Sequence, residues 1–227
     1  MKKKIAIFAS GNGTNCENII QYFKNHGGAE VSLVVCNKKD AFVLQRAEQH
    51  GVPSVVITKR QFEEEQEHVL ESVAGADLIV LAGFLLRIPD YLIEKFPNRI
   101  INIHPSLLPK FGGKGMWGHH VHQAVKDAGE TETGITIHYV SSEIDKGGHI
   151  AQFKVALQES DSVEDIEKKV HLLEKEHFPK VIGQLLSDAG LTEYERYCRE
   201  QALQQEEEFD DGRCFPDMPE GQFVRGH

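Results

Sequence analysis

The sequence predicts an α/β fold: a Rossmann-like, doubly wound, mostly parallel sheet with helices on both faces and antiparallel strands in the carboxyl-terminal half. Three features of the 227-residue chain point there. Short continuous apolar runs alternate with segments of helical period, the pattern of parallel strands covered on both faces. A glycine-rich loop joins the first run to the first helix. After Pro109 the runs change to strict alternation, as in antiparallel strands with unlike faces.

Residues 4–9 (KIAIFA) read as the first strand, and residues 15–25 as a helix with Ile19, Ile20 and Phe23 inward. Residues 31–36 (VSLVVC) form a second strand, and residues 41–50 a helix ended by Gly51. A short strand at 54–57 leads to one charged amphipathic helix over 62–73, then to a buried strand at 78–82 (LIVLA). A short helix over 89–95 starts with proline in its first turn. Arg99-Ile100-Ile101 carries the next strand into Asn102. Residues 111–118 are a glycine-rich loop, 119–128 a helix, and 133–140 and 149–157 alternating strands. A long helix covers 162–186, with Pro179 as a point where it can bend. The domain reading is one unit over 1–187, with a nucleotide-binding half at 1–101 and a catalytic half at 102–187. An acidic tail follows at 188–227.

Composition narrows the function. The net charge is −10, and the tail holds eleven acidic against four basic side chains. Neither part carries the basic stripe of a nucleic-acid binder. No apolar run is long enough to span a bilayer. The apolar stretch behind Met1-Lys2-Lys3-Lys4 ends at Ser10, too early for an export signal, so a cytoplasmic enzyme acting on small molecules is expected. Cys16, Cys36, Cys198 and Cys214 lack C-x-x-C spacing and read as reduced thiols, with Cys36 in the core. His119, His120 and His122 lie too close in sequence to chelate well, so no metal is expected.

Three segments carry candidate chemistry. Ser10-Gly11-Asn12-Gly13-Thr14-Asn15 stands between a strand and a helix start, where backbone N–H groups and the helix dipole favour a phosphate. Cys16 occupies the third glycine position of the dinucleotide fingerprint, and Asn37-Lys38-Lys39 replaces the acidic residue after the second strand. A single phosphate fits better than a nicotinamide dinucleotide. The competing reading is a plain helix start, with Thr14 and Glu17 as a capping box. Asn102 and His104 are two apart, so on a strand they share a face, and Pro105 ends the sheet behind them. An amide and an imidazole there suit a reaction in which an oxyanion forms and a proton moves; the alternative is a polar strand end. Asp145, before Lys146-Gly147-Gly148, is either turn chemistry or a carboxylate partner for His104.

Taken together, SGNGTN at 10–15, CNKKDAFVLQRA at 36–47, LAGFLLRIP at 81–89, NIHPSLLPKF at 102–111, the Asp145 loop and Glu174 ahead of Phe178-Pro179 resemble one family. The chain resembles the phosphoribosylglycinamide formyltransferases, the glycinamide ribonucleotide branch of the folate-dependent formyltransferase superfamily, in consistent order over residues 4–186. The resemblance implies transfer of the formyl group of 10-formyltetrahydrofolate to an amine, with no covalent enzyme intermediate. It implies Asn102, His104 and Asp145 as catalytic residues, and Gly11, Asn12, Gly13, Thr14 and Asn15 as the phosphate loop. Leu85, Leu86, Arg87 and Ile88, with Ser141, Glu143 and Ile144, would hold the folate. Glu174 and, one turn earlier, His171 would meet the other substrate. A monomer or weak homodimer is expected.

Two departures stand out. Where relatives carry a phosphate-binding arginine near Phe62, this chain has Glu63-Glu64-Glu65, leaving Lys59 and Arg60 as substitutes. The loop at 111–120 is longer than in many relatives and reads as a mobile lid over the folate. Other folate-dependent formyltransferases, a formyltetrahydrofolate hydrolase and a non-catalytic nucleotide- or folate-binding protein are the alternatives. The last predicts that Asn102, His104 and Asp145 do not converge.

Overall fold

A computed structural model describes residues 2–187. The strands are β1 Lys3–Ala9, β2 Ala29–Cys36, β3 Ser54–Val56, β4 Leu78–Leu81, β5 Ile100–His104, β6 Glu132–Tyr139 and β7 His149–Ala156. The helices are α1 Thr14–His26, α2 Phe42–Gln49, α3 Lys59–Glu64, α4 Gln66–Val73, α5 Asp90–Lys95, α6 His119–Asp127 and α7 Val163–Leu186. All strands join one sheet in the order β3-β2-β1-β4-β5-β6-β7. Pairing is parallel from β3 through β5 and antiparallel for β5–β6 and β6–β7. The fold class read from the sequence is the one observed, including the change of direction after the proline turn.

Alternation along the strands divides the core into two layers. Ile5, Ile7 and Ala9 pack with Ile19 and Phe23 of α1, Val43 of α2, and Phe178 and Ile182 of α7. Ala6 and Phe8 point the other way, onto Phe62 of α3, Val69 of α4 and Leu92 of α5. Phe8 is fully buried, with ring centroids 6.0 Å from Phe62 and 5.3 Å from Phe84. Burial of each such side chain contributes ~1.5–3 kcal/mol. In α7, Pro179 cannot donate to the carbonyl of Lys175, and the Asn18 amide of α1 donates there instead at 2.9 Å. The helix therefore runs through its proline without stranding an acceptor.

One expectation needs correction. The helix expected over 62–73 is two helices, α3 and α4, broken at Glu65. Residues 63–68 are all polar and exposed, so no apolar side chain holds the middle turn on the sheet between Phe62 and Val69. A capping box of Thr58 with Gln61 also starts the first of them before Phe62. The boundary drawn between residues 101 and 102 falls inside β5, and the sheet is continuous across it. Cys16 and Cys36 are free and buried. The acidic tail, with Cys198 and Cys214, lies outside the described residues. Among the described residues no helix is long and apolar enough to cross a membrane.

Three structural features position the site. The connections after β1 and β2 run to one side of β1, and β4 lies on its other side, so the sheet has its switch point between β1 and β4. Open α/β sheets bind ligands at such a crevice, beyond the carboxyl ends of the strands. The turn at 105–109 is pinned across β6: Thr136 Oγ1 donates to the Ser106 carbonyl at 2.7 Å and accepts from Leu108 N at 3.0 Å. Gln152 Nε2 adds bonds to Thr136 Oγ1 and the Leu108 carbonyl, each 2.9 Å. Gly134 allows this close approach, since a Cβ there would collide with the Phe153 carbonyl and stand 2.8 Å from Leu107 Cδ2.

Candidate active site

A cleft of about 610 Å³ opens at the switch point. Residues 11–15, 81–88, 102–105 and 113–118 line it, with the β6–β7 connection and one face of α7. It brings together Gly11, Asn12, Gly13, Thr14, Asn15, Leu85, Leu86, Arg87, Ile88, Asn102, His104, Ser141, Glu143, Ile144, Asp145, His171 and Glu174.

The glycine loop departs from a side-chain-capped helix start. The N-cap of α1 is Gly13 in the left-handed region (φ 77°), with no side-chain cap. The capping box expected from Thr14 and Glu17 does not form. Thr14 is already the first helical residue, and Glu17 turns away to pair with Arg46 and His50 of the α2 segment. The first-turn N–H groups therefore have no side-chain acceptor, which suits an incoming anion. Gly13 is required twice over: its φ disfavours a side chain, and a Cβ would lie 2.5 Å from Val43 Cγ2. At Gly11 a Cβ would meet nothing within 4 Å.

The strand register makes the polar cluster. Asn102 pairs with His138 and His104 with Thr136 across the antiparallel β5–β6 ladder, so these side chains share one face. His138 Nδ1 donates to the Tyr139 carbonyl at 2.9 Å, which leaves Nε2 as an acceptor for the Asn102 amide at 3.1 Å. Burial lowers the His138 pKa to about 4, so the ring is neutral at pH 7. His104 is buried, and its Nε2–H donates to the Phe111 carbonyl at 2.8 Å. Its Nδ1 faces Asp145 Oδ2 at 3.5 Å. The other Asp145 oxygen stands 3.6 Å from His138 Nε2. Gly113 N–H fixes the carboxylate at 2.9 Å. Asn102, His104 and Asp145 thus converge, contrary to the separation a non-catalytic binding module predicts.

The remaining sequence candidates fall into two groups around this centre. Arg87 ties the two loops expected to hold the folate, bonding the Ser142 carbonyl at 3.3 and 3.1 Å and Asp90 at 2.7 Å. Leu85 and Ile144 are about half exposed on the cleft wall, while Ile88 is buried. Leu85 N–H is taken by Ser10 Oγ at 2.9 Å, which fastens this segment to the end of β1. On the opposite side, the Glu174 carboxyl is buried and accepts from Asn15 Nδ2 at 3.0 Å. Burial raises its pKa. His171 lies 3.9 Å from Glu167 and is largely exposed.

Some residues lie where the sequence did not place them. Lys59 and Arg60 do not line the cleft; they pair with Glu63 and Glu64 on their own helix, with side chains 72% and 81% exposed. Arg46 is the arginine that reaches the glycine loop, bonding the Asn12 carbonyl at 2.8 Å and Asn12 Oδ1 at 3.2 Å. His138 was also missed, although the alternation of TGITIHYV sets Thr136 and His138 on the face opposite Ile135 and Ile137. Trp117 projects half-exposed from the 113–118 wall. His122 is buried, and burial lowers its pKa to about 4, while His119 is mostly exposed. Among the described residues no cluster of three or more His, Cys, Asp or Glu side chains is placed to hold a metal.

A doubly wound sheet with an uncapped glycine loop, and a buried His104 with Asn102 and Asp145 beside it, is an arrangement suited to a group-transfer enzyme. Comparison with known proteins makes the class specific. Residues 3–182 match the family model described as formyl transferase, so the chain belongs to the formyl transferase family and is a transferase. A phosphoribosylglycinamide formyltransferase of Bacillus subtilis is 40% identical over 190 residues, covering 81% of this chain and 95% of that protein. One from Haemophilus influenzae is 38% identical over 189 residues, covering 79% and 85%. The crystal structure of phosphoribosylglycinamide formyltransferase from Bacillus halodurans superposes with a TM-score of 0.76 at 36% identity, over 82% of this chain and 97% of that one.

Proposed function

We propose that this protein transfers the formyl group of 10-formyltetrahydrofolate to the amine of glycinamide ribonucleotide, a step of de novo IMP synthesis. The observation that carries the reading is the convergence of Asn102, His104 and Asp145 in the same cleft as the uncapped glycine loop. The loop takes the substrate phosphate on the N–H groups at the start of α1. Glu174, held by Asn15, meets the polar end of the same substrate, with His171 nearby. The pterin lies along residues 85–88 and 141–144, where Leu85 and Ile144 offer half-exposed apolar side chains.

The substrate amine attacks the formyl carbon, a C–N bond forms, and the formyl oxygen becomes an oxyanion. Asn102 keeps one amide N–H on His138 and offers the second to that oxygen. Protonated His104 adds positive charge, with Nε2–H on the Phe111 carbonyl and Nδ1 toward Asp145. The exchangeable proton is therefore the one on the Asp145 side. Collapse of the adduct breaks the bond to the folate nitrogen. One proton passes from the amine to that nitrogen through the His104–Asp145 pair and a bridging water.

The protein acts on small molecules in the cytoplasm, as a monomer or weak homodimer. The deciding experiment mixes purified protein with both substrates and follows the formylated product by mass spectrometry. Stoichiometric product is expected. Release of formate without product, or no reaction, overturns the reading.

A further inference from the structure

We propose that Arg46 is the positioning residue of the phosphate loop: it turns the loop's peptide planes so that successive N–H groups face the cleft. The proposal rests on the phosphate reading of that loop. In a trans peptide the carbonyl of one residue and the N–H of the next point in opposite directions. The Gly11 carbonyl accepts from Val43 N–H at 3.1 Å, so the N–H of Asn12 points away from α2. The Asn12 carbonyl accepts from Arg46 Nε at 2.8 Å, so the N–H of Gly13 points away from α2 as well. Both donors are thereby aimed to the side on which residues 11–15 line the cleft.

The guanidinium is itself held in place. Its Nη1 pairs with Glu17 on the first turn of α1, and Nη2 donates to Asn12 Oδ1 at 3.2 Å. Its carbon lies 4.9 Å from the Phe42 ring centre. Glu17 is fixed in turn by His50 at 3.1 Å. Glu17 offsets the Arg46 charge, so the role is one of geometry. A planar fork that bonds a carbonyl, an amide oxygen and a carboxylate at once is something lysine cannot reproduce. Lys59 and Arg60, by contrast, pair within α3 and do not line the cleft.

The test compares the wild-type, Arg46→Ala and Arg46→Lys enzymes with glycinamide ribonucleotide and with its dephosphorylated riboside, and measures inorganic phosphate binding by calorimetry. In R46A, KM for the phosphorylated substrate should rise about tenfold or more and phosphate affinity should fall in parallel. KM for the formyl donor and kcat/KM for the riboside should stay within about twofold. R46K should recover only part of the loss, and it carries the same comparison if R46A does not fold. Equal losses with both acceptors, or unchanged phosphate affinity, overturn the proposal. A wild-type enzyme that binds no phosphate and treats both acceptors alike overturns the phosphate reading beneath it.

Discussion

Replacing Asn102 by Ala tests the proposed oxyanion role directly, because the proposed mechanism gives this amide two separable tasks. One N–H bonds His138 Nε2 at 3.1 Å, and the other is the one proposed to meet the oxyanion. Loss of one oxyanion donor is worth ~3–4 kcal/mol of barrier, or ~10²–10³-fold in kcat. Loss of the first task leaves the buried His138 acceptor without its donor, at about 1–3 kcal/mol of stability. It also leaves the Nε2 lone pair 3.6 Å from the Asp145 carboxylate without the amide donor, so only burial and the neighbouring histidines still favour the neutral ring. The His138 pKa should then move up from about 4. Steady-state kinetics with both substrates, urea denaturation and an NMR titration of the ring together read all three effects. A loss in kcat below about tenfold, accompanied by matching rises in both KM values, would refute the reasoning, since it would mark a binding contact. An unmoved His138 titration would show that the amide and ring are not coupled as drawn.

Four further outcomes follow. Replacing His104 by Ala should cost about 10²–10⁴-fold in kcat with the far-ultraviolet circular dichroism unchanged. His122 and His138 have pKa values lowered from 6.5 to about 4, so between those values the unfolded chain holds more protons. Their stability contribution is full above the unfolded pKa and fades as pH falls toward 4, on the order of 3 kcal/mol for each; urea midpoints at pH 7.5 and 5 measure it, and His122→Gln should flatten the slope. Replacing Glu174 by Gln removes a buried charge whose pKa is raised and keeps an acceptor for Asn15, so Tm should rise at pH 7.5 while KM for the ribonucleotide worsens. Replacing Gly13 by Ala forces a side chain into a left-handed residue and against Val43, so stability should fall by about 2–4 kcal/mol and KM for the ribonucleotide should rise.

Much of this was legible in the chain because local pattern and global fold agree. Short continuous apolar runs such as LIVLA, set between helical segments, fit strands buried on both faces, and the alternation after Pro109 marks where the sheet turns antiparallel. The i, i+2 spacing of Asn102 and His104 survives into the structure because β5 extends to His104. What was not legible depends on register and on contacts across long sequence distance. His138 acquires its role by standing opposite Asn102 in the β5–β6 ladder, which no local pattern states. Arg46 sits 34 residues from the loop it holds. The Thr14 and Glu17 spacing matched a capping box, but the helix begins one residue earlier than that box requires, and Glu17 found partners on the α2 segment.

The segment that enters the 113–118 wall of the cleft also holds His104 and Asp145. Phe111 supplies the carbonyl that accepts from His104, and Gly113, two residues on, supplies the N–H that fixes Asp145. These are backbone groups, so replacing the Phe111 side chain leaves them in place, whereas a side chain at Gly112, which would crowd Leu108 Cδ2, shifts the chain and disturbs both together. The arrangement acts as an interlock: whatever shifts this stretch of backbone unseats His104 and Asp145 in the same movement.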